Sequence, residues 1–196
     1  SPIILICSEN LLKKNMIKFN FKKKIKLLKS GQIKEFNLNN NSINLIDIKL
    51  KKNTNINQYI EKSFFTAFEI IKDGITDKFI NGPISKKKFL KKKYLGVTEY
   101  ICDYFAIKKN AMLIYNKDLS VCPITTHLPI KQVTKKITTT IIKEKVHLVA
   151  KFYLKHFKYK PKIAILGLNP HCETIEKFNE DQKIIKPTVQ SLKKLN

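Results

Sequence analysis

Apolar positions fall along this chain in two rhythms. Residues 2–7, Pro-Ile-Ile-Leu-Ile-Cys, make an unbroken apolar run of strand length, the pattern of a parallel strand buried on both faces. Ser8 follows as a candidate N-cap for a short helix over residues 9–15, because its hydroxyl can accept from an otherwise unpaired amide of the first turn. A Lys-rich stretch and an Asn-rich loop over residues 37–44 then lead to a second predicted strand at residues 43–48. Between residues 58 and 72, Tyr59, Ile60, Phe64, Phe65, Ala67, Phe68, Ile70 and Ile71 recur at steps of three and four, which predicts an amphipathic helix. Gly74 is its candidate C-cap. A short strand near residues 78–80 runs into Asn81-Gly82-Pro83-Ile84-Ser85-Lys86. The Gly-Pro pair forces a turn at the strand's carboxyl end, the side on which α/β sheets bind ligands.

The second half repeats the alternation: strands at residues 111–115, 119–125 and 162–166, a long helix over 138–157, and a last helix over 180–194. This predicts an α/β fold. No fixed-period repeat and no Pro/Gly/Ser linker divides the chain, and a boundary near residue 95 gives a first α/β domain over 1–95 and a second over 96–196.

Charge changes the picture less than its size suggests. The 196 residues carry a net charge of +24, and all 39 basic residues are Lys. A protein that reads bases or grips phosphates in a fork would use Arg, whose planar guanidinium bonds two acceptors at once. The lysines are scattered, Gly is scarce and Trp is absent, so the basicity reads as a composition bias of solvent-facing positions rather than a nucleic-acid stripe. Lys86 is read the same way, as one more surface lysine. Cys7, Cys102, Cys122 and Cys172 are far apart, with no Cys-x-x-Cys pair, and read as reduced, cytoplasmic thiols. No apolar stretch reaches membrane-spanning length, so no membrane association is expected.

Two of the four histidines stand where chemistry would want them. His127 ends the run Val121-Cys122-Pro123-Ile124-Thr125-Thr126, just before Leu128-Pro129, and His171 ends Ile163-Ala164-Ile165-Leu166-Gly167-Leu168-Asn169-Pro170. Strand ends of one sheet can bring two such imidazoles to one rim, and neutral imidazole is the commonest ligand of zinc-like cations. His147 and His156 lie within the 138–157 helix and read as surface or boundary residues.

Four segments carry a specific resemblance: Asn81-Gly82-Pro83-Ile84-Ser85-Lys86, Gly96-Val97-Thr98-Glu99-Tyr100, Thr125-Thr126-His127-Leu128-Pro129 and Gly167-Leu168-Asn169-Pro170-His171. In order and spacing they resemble the signature segments of the 4-hydroxythreonine-4-phosphate dehydrogenase (PdxA) family of vitamin B6 biosynthesis. The resemblance implies a two-domain architecture like that of isocitrate and isopropylmalate dehydrogenases, incomplete in this chain, with a cleft completed across a homodimer. It implies NAD or NADP, a divalent metal (zinc, magnesium or cobalt), and oxidation and decarboxylation of 4-phosphooxy-L-threonine to 3-amino-2-oxopropyl phosphate. His127 and His171 match two of three metal histidines, and Thr98 matches a substrate contact at the phosphorylated end.

There are departures from the family pattern. Val97 occupies the place of a substrate-binding histidine, and valine can neither donate a hydrogen bond nor carry charge. Cys172-Glu173-Thr174 follows His171 where the family has a Gly-containing turn. The resemblance places the family's glycine-rich opening before Ser1. It places the third metal histidine and much of the NAD site after Asn196, so that alone the chain is expected to be an inefficient enzyme. Two alternatives stand beside this reading. One is a paralogue acting on another four-carbon phospho-hydroxy acid, such as threonate or erythronate phosphate. The other is a non-enzymatic basic binding module.

Overall fold

A computed structural model describes residues 2–51, 53–90, 93–172 and 179–194, and the side chains of Ser30, Lys86 and Lys87 lie outside that description. The chain divides into two compact units, Ser1–Lys91 and Lys92–Asn196.

The first unit is built on three parallel strands, β1 (Ile4–Cys7), β2 (Lys24–Leu27) and β3 (Ser42–Asp47), in the order β1-β3-β2. Leu45 and Ile46, adjacent on β3 and therefore on opposite faces, are both buried. The central strand is thus covered on both sides, as parallel sheets require. α1 (Glu9–Lys18) starts at Ser8, whose hydroxyl accepts from Leu11 N, and so extends beyond the predicted end. β2 lies in the Lys-rich stretch that predicts no element; its middle residues Ile25 and Lys26 are half-buried, while Lys24 and Leu27 at its ends are exposed. A 3-10 turn (Ser30–Glu35) precedes β3.

α2 (Ile56–Lys72) is the predicted amphipathic helix. It ends in a Schellman motif: Gly74, at φ +70, donates to Ile71 O at 3.0 Å, and Ile75 donates to Ile70 O at 3.3 Å. Ile70 and Ile75 join Leu28, Ile33, Ile46 and Ile48 in one core cluster. The aromatic side of α2 stacks Phe64 on Phe89 at 5.4 Å and packs Phe68 against Phe79 at 5.8 Å. Residues 78–80 are not a strand. Phe79 is drawn into this aromatic cluster instead of a ladder. A short helix, α3 (Lys86–Phe89), follows the Gly-Pro turn.

The second unit holds α4 (Val97–Tyr104), α5 (Ile130–Lys136), α6 (Thr139–Phe157), and a π turn (Asp181–Ile185) that runs into α7 (Lys186–Lys193). Ile137, Ile142 and Ile185 form its core with Ile124, Val133, Val146, Ile165, Leu168 and Val189 packed around them. Thr188 donates to Thr139 Oγ1 at 2.9 Å or Ile184 O at 2.6 Å, and Lys143 Nζ donates to Ser191 Oγ at 2.8 Å, pinning α7 to α6. Three predicted strands are corrected here. Residues 111–115 and 119–125 make one antiparallel bridge, Ile114 to Val121, and residues 162–166 run without a ladder. An apolar run becomes a strand only when another strand takes up its amides and carbonyls. Beyond that single bridge these runs find no such neighbour among the described residues, and Ile114, Leu119 and Leu166 stay exposed.

Candidate functional site

The chemistry-bearing residues singled out by sequence all lie in the second unit, at two turns and one helix end. Asn169-Pro170-His171-Cys172 is a β-turn, closed by Cys172 N donating to Asn169 O at 3.0 Å. Pro170 stands at the second position, where its fixed φ suits the turn. That geometry leaves the His171 side chain exposed at the turn's crest.

Asp181 anchors this turn from beneath. Its buried carboxylate accepts from Leu168 N at 2.7 Å, Asn169 N at 3.2 Å and Asn169 Nδ2 at 2.9 Å. Burial pushes the Asp181 carboxyl up, but the three donors together outweigh it and hold it below the ordinary value. Asn179, itself buried, accepts from Asp181 N at 2.9 Å and Gln182 N at 3.2 Å, so it caps the helix on which Asp181 sits. Gly167 completes the clamp. A Cβ there would collide with Cys172 Sγ and come within 3.0 Å of Asp181 Oδ1. Glu173 and Thr174, where the sequence departs from the family turn, lie outside the described residues.

His127 occupies a left-handed conformation, φ 57, between Thr126 and Leu128. Histidine tolerates that region better than most residues, and such positions recur at functional sites. Its ring edge meets the start of α4. A Cβ on Gly96, the N-cap, would lie 3.3 Å from His127 Nε2 and 2.7 Å from Glu99 Oε2. Thr98 sits in the same first helical turn, and Val97 opens it. The fold therefore brings Thr98, Glu99 and His127 to one helix end. Glu99 Oε2 is shielded from water and has no hydrogen-bond partner. The Glu99 charge also bears on Cys102, whose thiol is pushed up first by burial and then by that carboxylate.

Among the described residues no three His, Cys, Asp or Glu side chains gather around a point that would hold a metal ion. His127 and His171 supply imidazole donors that suit a borderline divalent cation. The unpaired carboxylate oxygen beside His127 is the kind of partner a metal-bound imidazole uses. The residues present thus offer ligand chemistry of the right kind at two places, without a gathered set of ligands among the described residues. Sequence reasoning passed over Asp181 and Glu99. Asp181 had a local signal in Asn-x-Asp at a helix start, whereas Glu99 stood inside a quoted segment but gains its meaning only from the approach of His127.

The family model described as pyridoxal phosphate biosynthetic protein PdxA matches residues 1–196. The chain belongs to the PdxA family. It is 36% identical over 158 residues to the 4-hydroxythreonine-4-phosphate dehydrogenase of Sulfurihydrogenibium sp., covering 77% of this chain and 49% of that protein. Over 181 residues it is 32% identical to the enzyme of that name from Aquifex aeolicus, covering 91% and 56%. The chain thus spans about half the length of the curated PdxA relatives it matches. In fold it is similar to a crystal structure of 4-hydroxythreonine-4-phosphate dehydrogenase from Klebsiella pneumoniae, with a TM-score of 0.79 at 20% identity, covering 99% of this chain and 63% of that one. The α/β architecture with a parallel sheet is the PdxA fold. Among the described residues no helix is long and apolar enough to cross a membrane.

Proposed function

We propose that this chain is part of a 4-hydroxythreonine-4-phosphate dehydrogenase of pyridoxal phosphate biosynthesis. In this reading it oxidises and decarboxylates 4-phosphooxy-L-threonine to 3-amino-2-oxopropyl phosphate. The observation that carries the reading is the PdxA match along the entire chain, which includes the helix end where Thr98 and His127 converge. With it go NAD or NADP, a divalent cation such as zinc, magnesium or cobalt, a homodimer, the two-domain architecture divided near residue 95, and a cytoplasmic setting.

The roles of this chain's residues follow from their placement. Thr98 and the free amides opening α4 offer donors to a phosphate, because a helix start concentrates unpaired N–H groups and positive dipole. His127 and His171 offer imidazole lone pairs, and Pro170 with Asp181 fixes the turn that presents His171. When bound, a divalent cation stabilises negative charge on the substrate oxygens while the nicotinamide accepts hydride. Val97 brings an aliphatic side chain where a hydrogen-bonding one would meet the substrate. This favours, as a second reading, a paralogue acting on threonate or erythronate phosphate. A nucleic-acid-binding role has only net charge behind it.

The test is NAD(P) reduction by the full-length protein, supplied with a divalent cation and either 4-phosphooxy-L-threonine or threonate phosphate. The expected result is a kcat/KM for the amino acid at least 10-fold above that for threonate, since a site that bonds the amine leaves donors or acceptors unpaired with its analogue. A reversed preference would establish the paralogue, and no reduction with either would remove the dehydrogenase reading.

A further inference from the structure

We propose that Glu99 is a positioning residue for His127: its buried Oε2 is placed to accept the imidazole Nε2–H, leaving Nδ1 to face a cation. The proposal rests on the reading of His127 as a metal ligand.

Gly96 makes the arrangement possible. Its backbone is extended, φ -158 and ψ 178, so glycine is not needed there for conformation. It is needed for space. The place of its missing Cβ lies 2.7 Å from Glu99 Oε2, 3.3 Å from His127 Nε2 and 3.7 Å from His127 Cδ2. Any side chain at this position would push the carboxylate and the ring edge aside.

The carboxylate oxygen has a need that the ring can meet. Glu99 Oε2 is hidden from water without a donor, and a buried acceptor left unpaired is costly. The His127 ring edge that borders the same Gly96 position carries Nε2, while the residue as a whole is exposed, so the opposite edge of the imidazole can reach a ligand. A neutral imidazole has one N–H and one lone pair. Fixing the proton on Nε2 assigns the lone pair to Nδ1. The left-handed backbone of His127 (φ 57) costs energy that only surrounding contacts sustain, which is what a ring held from behind would provide.

Glu99 is also the third residue of α4, from which a glutamate can fold back to cap its own helix. A cap alone would leave the His127 ring indifferent to Glu99, and the experiment separates the two roles. Proton–nitrogen correlation spectra of the metal-free full chain would report the His127 Nε2–H, beside zinc titrations of the chain and of Glu99→Ala, Glu99→Gln and His127→Ala variants.

A slowly exchanging His127 Nε2–H is expected in the chain and lost in Glu99→Ala, whose zinc affinity falls about 10- to 100-fold. Glu99→Gln, which keeps an acceptor oxygen and the side-chain volume, should restore most of both. A Nε2–H that is absent from the chain, or as protected in Glu99→Ala as before, overturns the proposal, whatever happens to melting temperature. Zinc binding that is indifferent to His127→Ala would instead sink the metal-ligand reading, with the ring proton still deciding the Glu99–His127 contact.

Discussion

Asp181→Ala is expected to destabilise the second unit by about 3 kcal/mol, because it strands half-buried donors that had shared one buried, charged acceptor. Leu168 N, Asn169 N and Asn169 Nδ2 all lose their partner, and the residue they close on is 4% exposed, so water cannot easily replace it. Urea unfolding followed by circular dichroism would measure the loss. The same carboxylate gives a pH signature. Its folded value lies below the ordinary 3.8, so its contribution is fully present above that pH and fades as pH falls through the folded value. Asp181→Asn should flatten this acid limb while losing less stability than alanine, since one amide oxygen still accepts. An acid limb unchanged in Asp181→Asn would show that the network does not govern it. The turn also carries His171, so Asp181→Ala should weaken cation binding beyond its effect on folding.

In the first unit the largest single loss is expected from Phe68→Ala, about 3–5 kcal/mol. Phe68 is 0% exposed and touches Phe64 edge-on at 5.7 Å and Phe79 at 5.8 Å. Alanine would leave a cavity lined by rings that are themselves held by neighbours and cannot readily collapse into it. Phe65, three positions earlier and 53% exposed, is the control. Its replacement by alanine should cost under about 1 kcal/mol. Equal losses at both positions would mean that the helix is buried on a different face.

How far the sequence could be read depended on whether an element's pattern was set locally. α2 and α6 are long enough for their periodicity to predict them, and β1 and β3 are apolar runs flanked by turn or capping residues. β2 was hidden because Lys24 and Lys26 disguise a strand whose other face is partly covered. α4 and α5 were missed because each is short and begins without a Ser, Thr, Asp or Asn cap: Gly96 and Pro129 stand there. The runs over residues 111–115 and 162–166 misled for the opposite reason, since apolar content measures only a tendency to be covered. The histidines were visible from their positions at the ends of apolar runs. Their supports were not, because Asp181 and Glu99 depend on residues distant in sequence being brought alongside.

The central claim is that His127 and His171 serve one divalent-cation site. Isothermal titration of zinc into the chain and into a His127→Ala, His171→Ala double variant tests it, once far-UV circular dichroism has shown both to be folded. Saturable binding in the chain that disappears in the double variant is the expected result. A folded chain that binds no zinc, or a double variant that binds it equally well, would contradict the assignment.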